Sequence, residues 1–251
     1  DPRTNFHEHL RTFLTIVGIE PGTDVSITLS TDTVGSTAIP AQSAGDTLEV
    51  NGRKIRSMAM IHCVGSRQIP GIHQADEKGN LNEYCSRTCC SAILHAAADI
   101  GERHPDTRIF DYYRDIRTYG RGQEELYEEA ARNGVVFLRF RADSPPEVTV
   151  AERADPFALQ VKVTATLTFG ENLQVPADLV VLVTGMEPAD VSDLVDMMKL
   201  PVGADRFLLE VHPKLRPVDA PTKGVYIAGC AESPKDVKDS VTQASAAAAR
   251  A

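Results

Sequence analysis

The stretch SMAMIHCVG, residues 57–65, decides how the rest of the chain reads. Met58 to Val64 is a short apolar strand that stops at Gly65. Just before it, Asn51-Gly52 stands between two strand-like runs, a strong signal for a type I′ hairpin turn. Downstream, CSAILHAAADIGERHPD carries apolar residues at 90, 93, 94, 97 and 100, the spacing of a helix, and Pro105 lies just past its expected end. RIFDYYRDIR follows as a strand. GQEELYEEAARNG then predicts an amphipathic helix with acids in its first turn and Gly134 just past its end, and VVFLRFRA a third strand. Residues 54–142 therefore read β–α–β–α–β, an α/β fold with a parallel sheet and crossover helices.

The flanks differ. FALQVKVTATLTF (157–169) alternates with period two, GEN turns the chain, and ADLVVLVTG (177–185) is a fully apolar strand. The expectation is an antiparallel hairpin or meander appended to the parallel unit. GVYIAGC (224–230) reads as a strand and DSVTQASAAAARA (239–251) as the last helix. At the other end, HEHLRTFLTIVG (7–18) predicts a short helix ending at Gly18, and the Ser- and Thr-rich residues 27–46 a long polar excursion.

Composition narrows the function. At 251 residues, 42% hydrophobic and 24% charged, the chain can bury a sizeable core. A net charge of −9 argues against nucleic acid or an anionic membrane as the main partner, since both need basic patches. No apolar run reaches the roughly 18–20 residues that span a bilayer. The chain opens DPRTNF without methionine, so an upstream targeting segment stays open. Five cysteines, an odd number, do not suggest a disulfide-built secreted fold; their clustering suggests a metal or redox site in a reducing cytoplasm.

Four of them, Cys63, Cys85, Cys89 and Cys90, are spaced C-x21-C-x3-C-C. If 85–90 is helical, Cys85 and Cys89 share a face, with Cys90 about 100° further round. Cys63 ends a strand, where open α/β sheets place their ligands. Four chemistries remain open on spacing alone. Structural zinc usually has separated C-x2–4-C knuckles, which an adjacent pair does not supply. A redox dithiol lacks its C-x-x-C. An iron–sulfur cluster tolerates irregular spacing, and buried structural cysteines are common.

Other features read more plainly. RTYGRGQEEL mimics a dinucleotide loop, but Glu125 replaces the third glycine and acids open the helix, so Gly120 and Gly122 are turn residues. Glu187, Asp190 and Asp193 read as caps or solvated loop residues. His95, five residues after Cys90, is a surface or half-buried histidine or a neighbour of a redox centre. Two apolar strands end on Gly185 and Gly229, where a ligand could approach the backbone.

Together these stretches closely resemble the A-type component of heterodisulfide reductase and its relatives, iron–sulfur flavoproteins of anaerobes. The residues that carry it are IHCVGSR (61–67), EYCSRTCC (83–90), DYYRDIRTYGRGQEELYEEAARNGVVFLR (111–139), ADLVVLVTGMEP (177–188), HPKLRPVDAPTKGVYIAGC (212–230) and SPKDVKDSVTQASAAAA (233–249). The resemblance implies a Rossmann-like, thioredoxin-reductase-like fold. Residues 1–53 would be a linker or insertion with the start of the hairpin, 54–176 an α/β domain with the four-cysteine site, and 177–251 the C-terminal part of an FAD domain. It implies a [4Fe–4S] cluster on Cys63, Cys85, Cys89 and Cys90. FAD contacts would come from Thr184, Gly185, Gly229, Cys230, Lys235, Asp236, Ser240 and Gln243. The family's glycine-rich FAD loop lies upstream and is missing, as expected of a fragment. Many relatives carry lysine where His95 stands, so His95 is expected to alter the flavin potential or its pH dependence.

The function so implied is electron transfer between FAD and the cluster in a multi-component cytoplasmic oxidoreductase, with flavin-based bifurcation in some relatives. Partners would be other iron–sulfur subunits, hydrogenase or ferredoxin, and a second copy as homodimer. The rivals are a docking component with a structural zinc site and a stand-alone disulfide reductase. CVGSRQIPG supplies no nicotinamide loop for the latter, because Cys63 stands where the loop would begin.

Overall fold

The computed structural model describes residues 47–50, 52–151 and 157–251, and the backbone of 14–20 and 23–28. The chain divides into two compact units, residues 1–64 with 89–184 and residues 65–88 with 185–251.

The first unit is built around one central apolar strand. β1 (Leu14–Glu20), β2 (Thr23–Thr28), β3 (Leu48–Val50) and β4 (Arg53–Ile55) precede that strand, β5 (Ser57–Val64). Helix α1 (Cys89–Arg103), β6 (Arg108–Tyr113), α2 (Glu124–Arg132) and β7 (Val136–Arg139) follow. β8 (Glu147–Val150), β9 (Leu159–Thr164) and β10 (Asn172–Ala177) form an antiparallel meander, and β11 (Leu179–Thr184) returns to the main sheet. That sheet runs β2-β1-β11-β5-β6-β7, with β11, β5, β6 and β7 mutually parallel. Counted from β5, the parallel part has the order 3-2-1-4, the Rossmann-like order in which the chain switches sides between the first strand and the fourth. The expected α/β sheet with crossover helices is therefore present, with its antiparallel appendage as a three-stranded meander.

Period two sorts the core. Met58 and Met60 face the helices, in a cluster with Ile93, Leu94, Ala97, Ile109 and Val181. Ala59 and Ile61 face the meander, with Tyr112, Leu159, Val161 and Val175. The strand is apolar throughout because a parallel strand covered on both faces has no wet side. The helix pair is close: a Cβ on Gly101 of α1 would lie 2.7 Å from the Asn133 carbonyl oxygen, so only glycine fits. β3 and β4 pair across Asn51-Gly52 as a two-residue hairpin; Gly52 has φ +76°, while Asn51 lies outside the described residues.

Three expectations are corrected. The helix ending at Gly18 is instead a strand over 14–20, paired with β2 on one side and β11 on the other; the β-branched run in LTIVGIE suits a strand. Residues 7–13 of that expected helix and residues 29–46 of the excursion lie outside the described residues. GVYIAGC is not a strand: one isolated bridge joins Asp219 and Tyr226, and Gly229–Ala231 form a 3-10 turn. Residues 85–88 are not helical, since α1 begins at Cys89 and Arg87 has φ +60°, so Cys85 and Cys89 do not share a helix face.

The second unit holds two helices, α3 (Ser192–Met198) and α4 (Val237–Arg250). Asp190 accepts the Ser192 amide at the start of α3 and Asp193 stands in its first turn, in keeping with the reading of these acids as caps or solvated loop residues. No helix among the described residues is long and apolar enough to cross a membrane.

Candidate functional site

At the carboxyl end of β5 the pairing with β11 slips. Ile61 pairs with Leu182 and Val64 with Thr184, so Val183 alone faces His62 and Cys63. The extra residue is a bulge, and Cys63 takes a left-handed conformation with φ +63°. Bulges and non-glycine residues at positive φ concentrate where a side chain must be re-aimed for function.

Beside the bulge lies a polar group that sequence pattern alone does not reveal. His62 and Asp111 occupy helix-facing positions of β5 and β6, and Asp111 pairs in register with Met60. The imidazole Nε2 is 2.8 Å from Asp111 Oδ1 and 3.0 Å from Oδ2, and neither side chain is exposed to solvent. The other ring nitrogen, Nδ1, is 3.6 Å from the sulfur of Cys90, the second residue of α1. Burial by itself lowers an imidazole's pKa, but here the charge and hydrogen bond of Asp111, joined by Cys90, carry His62 well above its ordinary value. The Cys90 thiol is lowered to about 4: its hydrogen bond with Cys89 contributes most, burial opposes, and His62 adds a bond and a charge. Cys90 is thus held as a thiolate, the form that binds metal. The signal that could have revealed this group was two ionisable residues at inward positions of apolar parallel strands.

Cys63 is half-buried, Cys89 and Cys90 are buried, and none of the five cysteines is in a disulfide. In the second unit, Cys85 is half-buried and its sulfur accepts the Arg87 amide at 3.4 Å. The segment around it is tied down within that unit: the amides of Arg67 and Gln68 bond the carbonyls of Tyr84 and Asn82. Tyr84 donates to the Met186 carbonyl, and the Met186 amide donates to Ser86 Oγ. Gly185 is glycine because a Cβ there would lie 2.6 Å from both Ser66 Cβ and Ser86 Oγ. The donor set suits a thiolate-bound metal: soft sulfur ligands, one already ionised. Among the described residues, no three His, Cys, Asp or Glu side chains are gathered into a metal-binding group.

Seven of the expected flavin contacts lie in the second unit, and six of them, all but Gly185, gather around the Gly229 turn and the start of α4. Gly229, buried with φ +67°, donates its amide to Gln243 Oε1 at 2.8 Å, and Gln243 Nε2 donates to Glu232. Lys235 is buried against Glu232 and Ser233, and its carbonyl receives the thiol of exposed Cys230 at 3.6 Å. Asp236 caps α4 by accepting the Asp239 amide at 2.7 Å, and Ser240 lies where a Cβ on Gly229 would touch it at 3.5 Å. The arrangement presents a close backbone approach at a helix start, which suits a cofactor edge. Thr184 ends β11, and His95 is exposed on α1.

No family model matches the chain. It is 44% identical over 203 residues to the A-type component of the H(2):CoB-CoM heterodisulfide,ferredoxin reductase of Methanothermobacter thermautotrophicus, covering 80% of the chain and 28% of that protein. It is 39% identical over 203 residues to the second iron-sulfur A-type component of the CoB--CoM heterodisulfide reductase of Methanopyrus kandleri, covering 80% and 29%. A solved structure, the HOCl-induced flavoprotein disulfide reductase RclA from Escherichia coli, aligns with TM-score 0.44 at 10% identity over 76% of the chain and 35% of its own. The chain spans less than a third of the length of the heterodisulfide reductase relatives it matches. Over four-fifths of its length, the chain is thus a relative of the A-type component of heterodisulfide reductase.

Proposed function

We propose that this chain is an electron-transfer segment of a heterodisulfide-reductase-like oxidoreductase, with Cys63, Cys85, Cys89 and Cys90 as ligands of a [4Fe–4S] cluster. Thr184, Gly185, Gly229, Cys230, Lys235, Asp236, Ser240 and Gln243 would contribute to an FAD site. In this reading 54–176 carries the four-cysteine cluster site and 177–251 the C-terminal part of the flavin domain. The observation that carries it is the buried Cys90 sulfur 3.6 Å from His62, which Asp111 holds in turn, in a chain whose relative is named for its iron and sulfur. When bound, the flavin would handle electron pairs and the cluster single electrons.

The chain's own residues have narrower tasks. The bulge at Cys63 turns a strand end into a ligand position, and the start of α1 offers Cys89 and Cys90 on adjacent residues. Gln243 holds the Gly229 turn in shape, and Lys235 is paired with Glu232. His95 would tune the flavin, and His95→Lys with an unchanged potential between about pH 5.5 and 8 would remove it from that role. Partners would be iron–sulfur subunits, hydrogenase or ferredoxin, with bifurcation and a homodimer as the fuller form of the reading. The cytoplasm is the compartment that keeps such thiols reduced.

The test is anaerobic purification with iron, acid-labile sulfide, zinc and flavin measured on one sample. About four irons and four sulfides per chain, lost on Cys→Ser substitution at the four positions, is the expected result. Zinc in their place makes the cysteines a structural clip and ends the electron-transfer reading.

A further inference from the structure

The His62–Asp111 pair has no part in ligating a cluster, yet it reaches one of the four sulfurs. We propose that His62, held by Asp111, is a positioning residue that donates a hydrogen bond to the Cys90 sulfur and thereby raises the reduction potential of the cluster. The inference rests on the reading of Cys90 as a cluster ligand.

The geometry leaves the ring little choice. Nε2 faces a carboxylate at 2.8 Å and Nδ1 faces the Cys90 sulfur at 3.6 Å. A metal-bound thiolate has no proton to give, and a carboxylate is an acceptor, so both ring nitrogens must carry hydrogen to bond both neighbours. The Asp111 carboxylate makes no other hydrogen bond among the described residues and serves the imidazole alone. Two adjacent parallel strands hold the pair, and both side chains lie out of water, where such bonds act most strongly. Reduction puts negative charge on the cluster sulfurs. A donor fixed on one of them stabilises the reduced state more than the oxidised one, as hydrogen bonds to cluster sulfur do generally.

Tyr112 provides a control one residue away. It points to the opposite face of β6, among Leu159, Val161 and Ala59, and its buried hydroxyl has no hydrogen-bond partner among the described residues. The experiment is a potentiometric titration followed by electron paramagnetic resonance on the anaerobically purified, cluster-loaded protein. It compares the wild type with His62→Gln, Asp111→Asn and Tyr112→Phe. Gln keeps a polar partner for Asp111 but offers only a neutral donor, and Asn keeps the shape of Asp111.

His62→Gln and Asp111→Asn should each lower the equilibrium constant for one-electron reduction about tenfold, or about 59 mV, at unchanged iron content. Tyr112→Phe should leave the potential where it was. Equal potentials in all four proteins overturn the proposal. So does an equal shift in Tyr112→Phe, which would mark a general response of β6. Loss of iron from both polar variants also overturns it, because His62 would then serve to hold the cluster rather than tune it. A wild type without iron overturns the reading of the cysteines themselves, and the iron assay records that outcome separately.

Discussion

His62 and Asp111 meet across two neighbouring parallel strands, imidazole Nε2 2.8 Å from carboxylate Oδ1, with no solvent exposure on either side chain. Each is the other's reason for being tolerated in the core. A buried charge without a partner costs several kcal/mol, whereas a paired one can break even. Asp111→Ala should therefore destabilise the protein by about 3–5 kcal/mol, and the double replacement His62→Leu with Asp111→Leu by clearly less than the sum of its single changes. Urea unfolding of the wild type and these variants measures the coupling, and simple additivity would mean that the pair does not act as one.

Gly185 is constrained by two serines. A methyl group there meets Ser66 Cβ and Ser86 Oγ at 2.6 Å and would disturb the 2.8 Å bond from the Met186 amide to Ser86. Gly185→Ala should cost about 1–3 kcal/mol of stability, and Ser66→Gly in the same chain should restore part of it. Thermal unfolding of both variants decides whether the crowding is the cause.

Gln243 bridges the Gly229 turn and Glu232 with its two ends. Gln243→Ala should lower stability by about 1 kcal/mol and speed hydrogen exchange at the Gly229 amide. Under the proposed function it should also weaken FAD binding. An unchanged exchange rate at Gly229 would show that the turn holds its shape without this side chain.

Asp219 receives hydrogen bonds from Arg250 at 3.0 Å and Arg216 at 3.1 Å, tying the end of α4 to the loop before it. Arg250 first, then Arg216, holds its carboxyl below the ordinary value. A depressed folded-state pKa stabilises the protein fully above the unfolded value of about 4, and that stabilisation fades as pH falls through the folded value. The Tm difference between wild type and Asp219→Asn should thus be constant from neutral pH to about 5 and shrink below about 4. A difference that stays constant to acid would assign the stabilisation elsewhere.

Local pattern carried much of the fold. The apolar run at β5, the Asn51-Gly52 turn and the helical spacing after Cys90 depend on neighbours within a few residues, and each element lies where those neighbours put it. LTIVGIE and GVYIAGC show the limit. The first is a strand because β2 and β11 pair with it on either side, and the second stays irregular because no strand among the described residues pairs with it. Their local patterns are similar, and only the partners differ.

The candidate site divides the same way. The sequence by itself marked the four cysteines, the glycines at 185 and 229, and the last helix, since residue type and spacing are local properties. What only the tertiary structure decided is the company they keep. His62 and Asp111 are 49 positions apart and become partners through the register of β5 on β6. A one-residue slip would turn one of them to the opposite face, because strand side chains alternate. The bulge that re-aims Cys63 arises from how β5 and β11 align, a relation between distant segments that no local pattern contains.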